Sequence, residues 1–93
     1  MTVALLSVEL FIPTAGSLKD KRRVVRRLRD RLSAFNVAVA EVAHQDIWQR
    51  SGLGIVTVAT DDAGAEKTLT SALHEIERLE PDLVTRSQVD YLR

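Results

Sequence analysis

The stretch Thr2-Val3-Ala4-Leu5-Leu6-Ser7-Val8-Glu9-Leu10-Phe11-Ile12-Pro13-Thr14-Ala15-Gly16-Ser17-Leu18-Lys19-Asp20-Lys21-Arg22-Arg23-Val24-Val25-Arg26-Arg27-Leu28-Arg29-Asp30-Arg31-Leu32 changes its hydrophobic period once, and that change decides the fold. Residues 2–12 alternate. Ala4, Leu6, Val8 and Leu10 share one face, and Val3, Leu5, Ser7, Glu9 and Phe11 share the other. A period of two with one fully apolar face is a strand. Pro13 ends it and Thr14-Ala15-Gly16 turns the chain. Ser17 then reads as a helix N-cap, with Asp20 three residues on in the place of a short capping box. Leu18, Val25, Leu28, Leu32 and Phe35 follow at helical spacing as one buried stripe flanked by Val24. At 100° per residue, Lys19, Arg23, Arg26, Arg27 and Asp30 point away from that stripe. Arg22 and Arg29 border it, and Lys21 points toward it near the helix start, where it is expected to reach past the end of the core.

Working outward, residues 36–42 form a second strand, with Val37, Val39 and Glu41 opposed to Ala38, Ala40 and Val42. Residues 43–51 are polar around a single Trp. Residues 53–60 are rich in β-branched side chains and nearly continuous in apolar content, which reads as a central strand covered on both faces. Asp61-Asp62-Ala63-Gly64 opens a second helix with carboxylates at its N-terminus. Its stripe is Ala65, Leu69, Ala72, Leu73, Ile76 and Leu79, and Pro81 stops it. Residues 83–92 alternate poorly and read as an edge strand. The order is β-α-β-β-α-β. Both crossovers are right-handed, so both helices land on one face of a four-stranded antiparallel sheet. The class is α+β, the ferredoxin-like split βαβ arrangement, as one domain over residues 1–93.

Composition sets limits. The chain has 93 residues, 45% of them hydrophobic, and no cysteine, so disulfides and thiolate metal sites are excluded. No apolar run reaches the roughly 20 residues that span a bilayer. The N-terminus lacks the basic region of a signal peptide, so a cytoplasmic location and no membrane partner are expected. The net charge is zero, yet residues 17–31 hold eight of the thirteen Lys and Arg and only two carboxylates, a net of six positive charges on one element. Such a field attracts phosphate-rich partners.

Three segments bear on function. On the helix, Lys19, Lys21, Arg22, Arg23, Arg26 and Arg27 are candidate phosphate contacts, and the helix N-terminus beside Lys19 and Lys21 is a candidate anion site. The alternative is neutralisation by the acidic second helix (Asp61, Asp62, Glu66, Glu75, Glu77, Glu80). The hairpin residues His44, Gln45, Trp48, Gln49 and Arg50 could stack on bases and bond their edges or phosphates. Alternatively, Trp48 closes over the core while Asp46 and Arg50 pair across the hairpin. The sheet face turned away from the helices lacks the central aromatics of an RNA-recognition motif. Val3, Leu5, Leu53 and Ile55 are expected to leave it apolar, as an interface with a second copy.

No metal-ligand spacing, phosphate loop or nucleophile constellation is present, so no metal, no cofactor and no enzymatic activity is expected. The leading expectation is a non-enzymatic RNA- or ribosome-associated module. The alternatives are an assembly factor docking on an acidic protein, and a small anion- or nucleotide-binding regulator.

Four segments also carry a resemblance. Val8-Glu9-Leu10 with Ile12-Pro13, Ser17 through Val24, Phe35 through Val42, and His44-Gln45-Asp46-Ile47-Trp48-Gln49-Arg50 resemble the YlxP-like family of small bacterial proteins. The resemblance covers the whole chain and departs from the family pattern at Phe11, Arg86 and Gln88. It implies a ferredoxin-like fold. Family genes lie among those for translation initiation and ribosome maturation, so it also implies an RNA or ribosome setting. It carries no catalytic residue.

Overall fold

A computed structural model describes all residues, 1–93. The elements are β1 (Thr2–Phe11), α1 (Leu18–Leu32), β2 (Ala38–Ala43), β3 (Arg50–Ala59), α2 (Asp62–Leu79) and β4 (Val84–Leu92). The strands form one antiparallel sheet in the order β2-β3-β1-β4. Both helices pack on one face, the ferredoxin-like arrangement that the element order predicts.

The alternation of β1 is realised residue by residue. Ala4, Leu6, Val8 and Leu10 are buried beneath the helices, while Val3, Leu5, Ser7 and Glu9 lie on the open face. Val25, Leu28 and Leu32 of α1 and Ala65, Leu69, Ala72, Ile76 and Leu79 of α2 complete the core. Burying aliphatic side chains in this way contributes about 1.5–3 kcal/mol each.

Both helix starts are capped as their sequences imply. Ser17 Oγ accepts from Asp20 N at 3.1 Å, and Asp20 Oδ2 accepts from Gly16 N at 3.0 Å. Asp61 Oδ1 accepts from Gly64 N at 2.8 Å. Asp62 ties the two chain ends together, accepting from Arg93 and from Thr2 Oγ1. The Arg93 hydrogen bond and then that of Thr2 hold its carboxyl below the usual carboxylate value.

Two expectations about β3 are corrected. The strand is central, but only its helix-facing side is covered within the chain. Leu53, Ile55 and Thr57 are buried, whereas Gly54, Val56 and Val58 lie on the open side. Leu53 and Ile55 therefore do not belong to the open face, because they pair with Val8 and Leu6, which face the core. A strand apolar at successive positions leaves its orientation to its neighbours. Here the unambiguous alternation of β1 sets it. The open face carries Val3, Leu5, Val56, Val58, Val42 and Leu92 instead.

The β2–β3 connection is shorter than the polar segment 43–51, since β3 begins at Arg50 and a bulge in β2 falls between Glu41 and Ala43. The strands come together tightly here. A Cβ on Gly52 would stand 2.8 Å from that of Ala43, a separation only glycine avoids. His44 follows the bulge with φ 62°, in the left-handed region, which His enters more readily than most side chains.

Candidate nucleic-acid interface

The eight cations of α1 divide by direction. Lys21 leaves the surface altogether. Its side chain is 1% exposed, and Nζ donates to the carbonyls of His44 at 2.7 Å, Gln45 at 3.0 Å and Arg50 at 3.3 Å. It also meets Glu41 Oε2 at 3.1 Å, which in turn accepts from Ser51 Oγ at 2.6 Å. The expectation that Lys21 reaches past the core, and its candidacy as a phosphate contact, are both corrected by this geometry. Its ammonium caps the base of the β2–β3 hairpin from beneath. Lys21 therefore supplies no cation to an anion site at the start of α1.

Arg27 faces α2 and meets Glu80 at 3.1 Å. That is the one salt bridge from α1 to α2 or its C-cap, Glu80. Asp62 pairs with Arg93, and Glu75 pairs with Arg78 inside α2. Surface pairs of this kind contribute about 0–1 kcal/mol. Lys19, Arg22, Arg23, Arg26, Arg29 and Arg31 are exposed and have no carboxylate within salt-bridge distance. The acidic second helix thus leaves most of the basic helix unneutralised.

Three of these lie on one flank. Arg22, Arg26 and Arg29 recur at i, i+4 and i+7 and form the wall of a groove of about 580 Å³ between α1 and the free edge of β2. Val37, Val39 and Glu41 form its opposite side, with Val25, Asp30 and Ser33 contributing. Arg29 is absent from the candidates read from sequence. Its signal was legible, because 100° per residue puts Arg22, Arg26 and Arg29 on the same side of the apolar stripe.

The hairpin candidates separate as well. Trp48 is 54% exposed, so it does not close over the core. Asp46 and Arg50 do not pair. Arg50 approaches Glu9 at 4.0 Å instead. His44 turns to the open face, where its Nε2 lies 3.1 Å from Glu9 Oε2, an enclosed oxygen without an aligned hydrogen bond. Gln49 Nε2 donates to Pro13 O at 3.1 Å and its carbonyl accepts from Ile12 N, which fixes the hairpin to the start of the β1–α1 connection. The side chains of Gln45 and Trp48 remain exposed and make no hydrogen bond within the fold. A shallow recess adjoins the Trp48 ring, lined by Asp46, Ile47 and Gln49. The arrangement thus combines free guanidinium groups, an aromatic face and no cluster of metal-ligating side chains.

The family model described as "Protein of unknown function (DUF503)" matches residues 3–89, nearly the whole fold. The chain belongs to that family. A Bacillus subtilis relative, "Uncharacterized protein YlxP", is 42% identical over 66 residues, 70% of this chain and 72% of its own length. The YlxP-like resemblance of the sequence motifs is therefore shown. Among solved structures, the de novo designed protein Foldit4 superposes with a TM-score of 0.56 at 15% identity, covering 99% of this chain and 96% of its own. A second de novo designed protein with ferredoxin fold gives 0.53 at 15% identity, covering 99% and 83%. At such identities these likenesses establish the fold alone. No helix is long and apolar enough to cross a membrane.

Proposed function

We propose that this chain is a non-enzymatic RNA-binding module, with the ribosome as one setting for such a role. The cations of α1 hold the phosphate backbone, and the β2–β3 hairpin supplies further contacts. One observation carries the reading: six of the eight α1 cations are exposed and lack an acidic partner within the fold. Solvated guanidinium groups aligned on a helix match the geometry of backbone phosphates, and Arg forms bidentate contacts with them. The assembly-factor alternative needs an acidic protein to occupy the same arginines.

Titration of a fluorescent RNA at rising salt tests the proposal. With about four to five phosphate contacts, log affinity should fall against log salt with a slope of roughly −3 on single strands. A flat salt dependence, or recovery of an acidic protein from cells after nuclease treatment with no RNA crosslinked, would transfer the basic helix to the protein-partner reading.

We also propose that the open sheet face packs on a second copy. Val58, Val42 and Leu92 are 51%, 61% and 57% exposed there, an apolar surface that a solitary domain seldom leaves uncovered. The charges of this face suit a two-fold contact. Arg86 and Asp90 lie on the open side of β4, opposite Glu9 and Leu5 of β1, so an axis between them sets each against its opposite on the other copy. Sedimentation should give a dimer for the unmodified chain and a folded monomer for Val58→Arg. A monomer for the unmodified chain removes this second reading.

A further inference from the structure

We infer that the groove between α1 and the β2 edge is a track for single-stranded RNA, which leaves the groove at the hairpin with a base stacked on Trp48; this rests on the RNA-binding reading above. Three of the five free arginines line one flank of the helix. Arg22, Arg26 and Arg29 share the flank that looks into the groove. At 1.5 Å per residue they span roughly 10 Å of helix, enough for more than one backbone phosphate. Opposite them, Val37 and Val39 offer apolar contact for a sugar or a base edge. Glu41 lines the groove, but it is neutralised by Lys21 and hydrogen-bonded by Ser51. Asp30 is the one unpaired acid on the lining, so the three guanidinium groups leave it net positive.

The two ends of the groove differ. Ser33 and Val37 lie where α1 finishes, while Arg22 and Glu41 lie where Lys21 clamps the hairpin. The exposed indole of Trp48 is in that hairpin. An aromatic face can stack only on a base released from pairing, which a single strand offers and a duplex withholds. The position of Arg22 and Arg29 beside the apolar stripe, toward the β2 edge, favours the same partner. A rigid duplex lying across the helix meets Lys19, Arg23 and Arg26, which point away from the apolar stripe, whereas a flexible strand can also follow Arg29 into the groove.

The test uses the full chain and two probes, a fluorescent oligouridine and the duplex it forms with oligoadenine. The sequence contains one Trp, so its intrinsic fluorescence reports stacking at residue 48 directly. The expected result is oligouridine binding at least about tenfold tighter than the duplex, with quenching of the Trp signal. Trp48→Ala and Arg29→Ala should each weaken oligouridine binding about tenfold and leave the duplex unaffected. Both side chains are exposed and unpaired, and circular dichroism checks that the variants fold. Equal affinity for the two RNAs, or equal losses in both, overturns the groove assignment while phosphate binding by α1 stands. Binding to neither RNA overturns both readings, and displacement of oligouridine at lower concentrations of oligoglutamate than of unlabelled oligouridine assigns the groove to an acidic peptide instead.

Discussion

Lys21→Ala is expected to lower the free energy of unfolding by about 3–5 kcal/mol, the effect of stripping one partner from a buried ion pair. The substitution leaves Glu41 without its cation and takes the donor from three carbonyls at the base of the hairpin. In a domain of this size each kcal/mol shifts the melting temperature by about 4–8 °C, so the midpoint should fall by more than about 12 °C. Urea denaturation followed by circular dichroism measures it. Lys21→Met keeps most of the apolar stem and should behave almost as badly, because the loss is that of the ammonium. Lys21→Met combined with Glu41→Gln should recover part of the deficit by removing the stranded charge. A Lys21→Ala variant that melts within a few degrees of the parent would show that the buried ammonium is dispensable.

Reversing Arg22, Arg26 and Arg29 together to Glu is expected to reduce RNA affinity at least about 1,000-fold while leaving the fold intact. Charge-assisted hydrogen bonds contribute about 1.5–3 kcal/mol each, and three of them are replaced by repelled carboxylates. The magnitude of the salt slope should shrink by about 2 at the same time. All three side chains are exposed and free of salt bridges, so thermal stability should move by only a few degrees. The matched control is Arg27→Glu, which breaks the contact with Glu80 on the opposite flank. If the triple reversal leaves the binding curve where it was, the helix is not the RNA contact.

Much of the fold was legible because β1 and the two helices each bury one clean stripe. Ala4, Leu6, Val8 and Leu10 admit one orientation of β1, and Ser17 and Asp61 mark where the helices start. The misreadings came where the pattern was degenerate. In β3 both faces are apolar, so Leu53 and Ile55 could be placed only through their pairing with β1. The hairpin was read too long because Arg50 and Ser51 look like loop residues, although Ser51 is buried against Glu41. Helical spacing aims Lys21 at the core, yet its ammonium stays buried there instead of reaching solvent. A helical projection gives direction, yet the acceptors that hold an ammonium come from carbonyls more than twenty residues away. Arg29 was passed over for the opposite reason. Lying beside the apolar stripe, it looked like a flanking side chain until the β2 edge supplied the other wall of the groove.

The Lys21 ammonium has a consequence for the economy of recognition. By gripping the hairpin backbone from the helix that bears the arginines, it makes the two elements one stiff body. A ligand touching both meets a preorganised surface, and little chain entropy is surrendered when it docks. The backbone of residues 44–50 should therefore hold one shape whether the surface is vacant or occupied, leaving the indole of Trp48 as the part that adjusts.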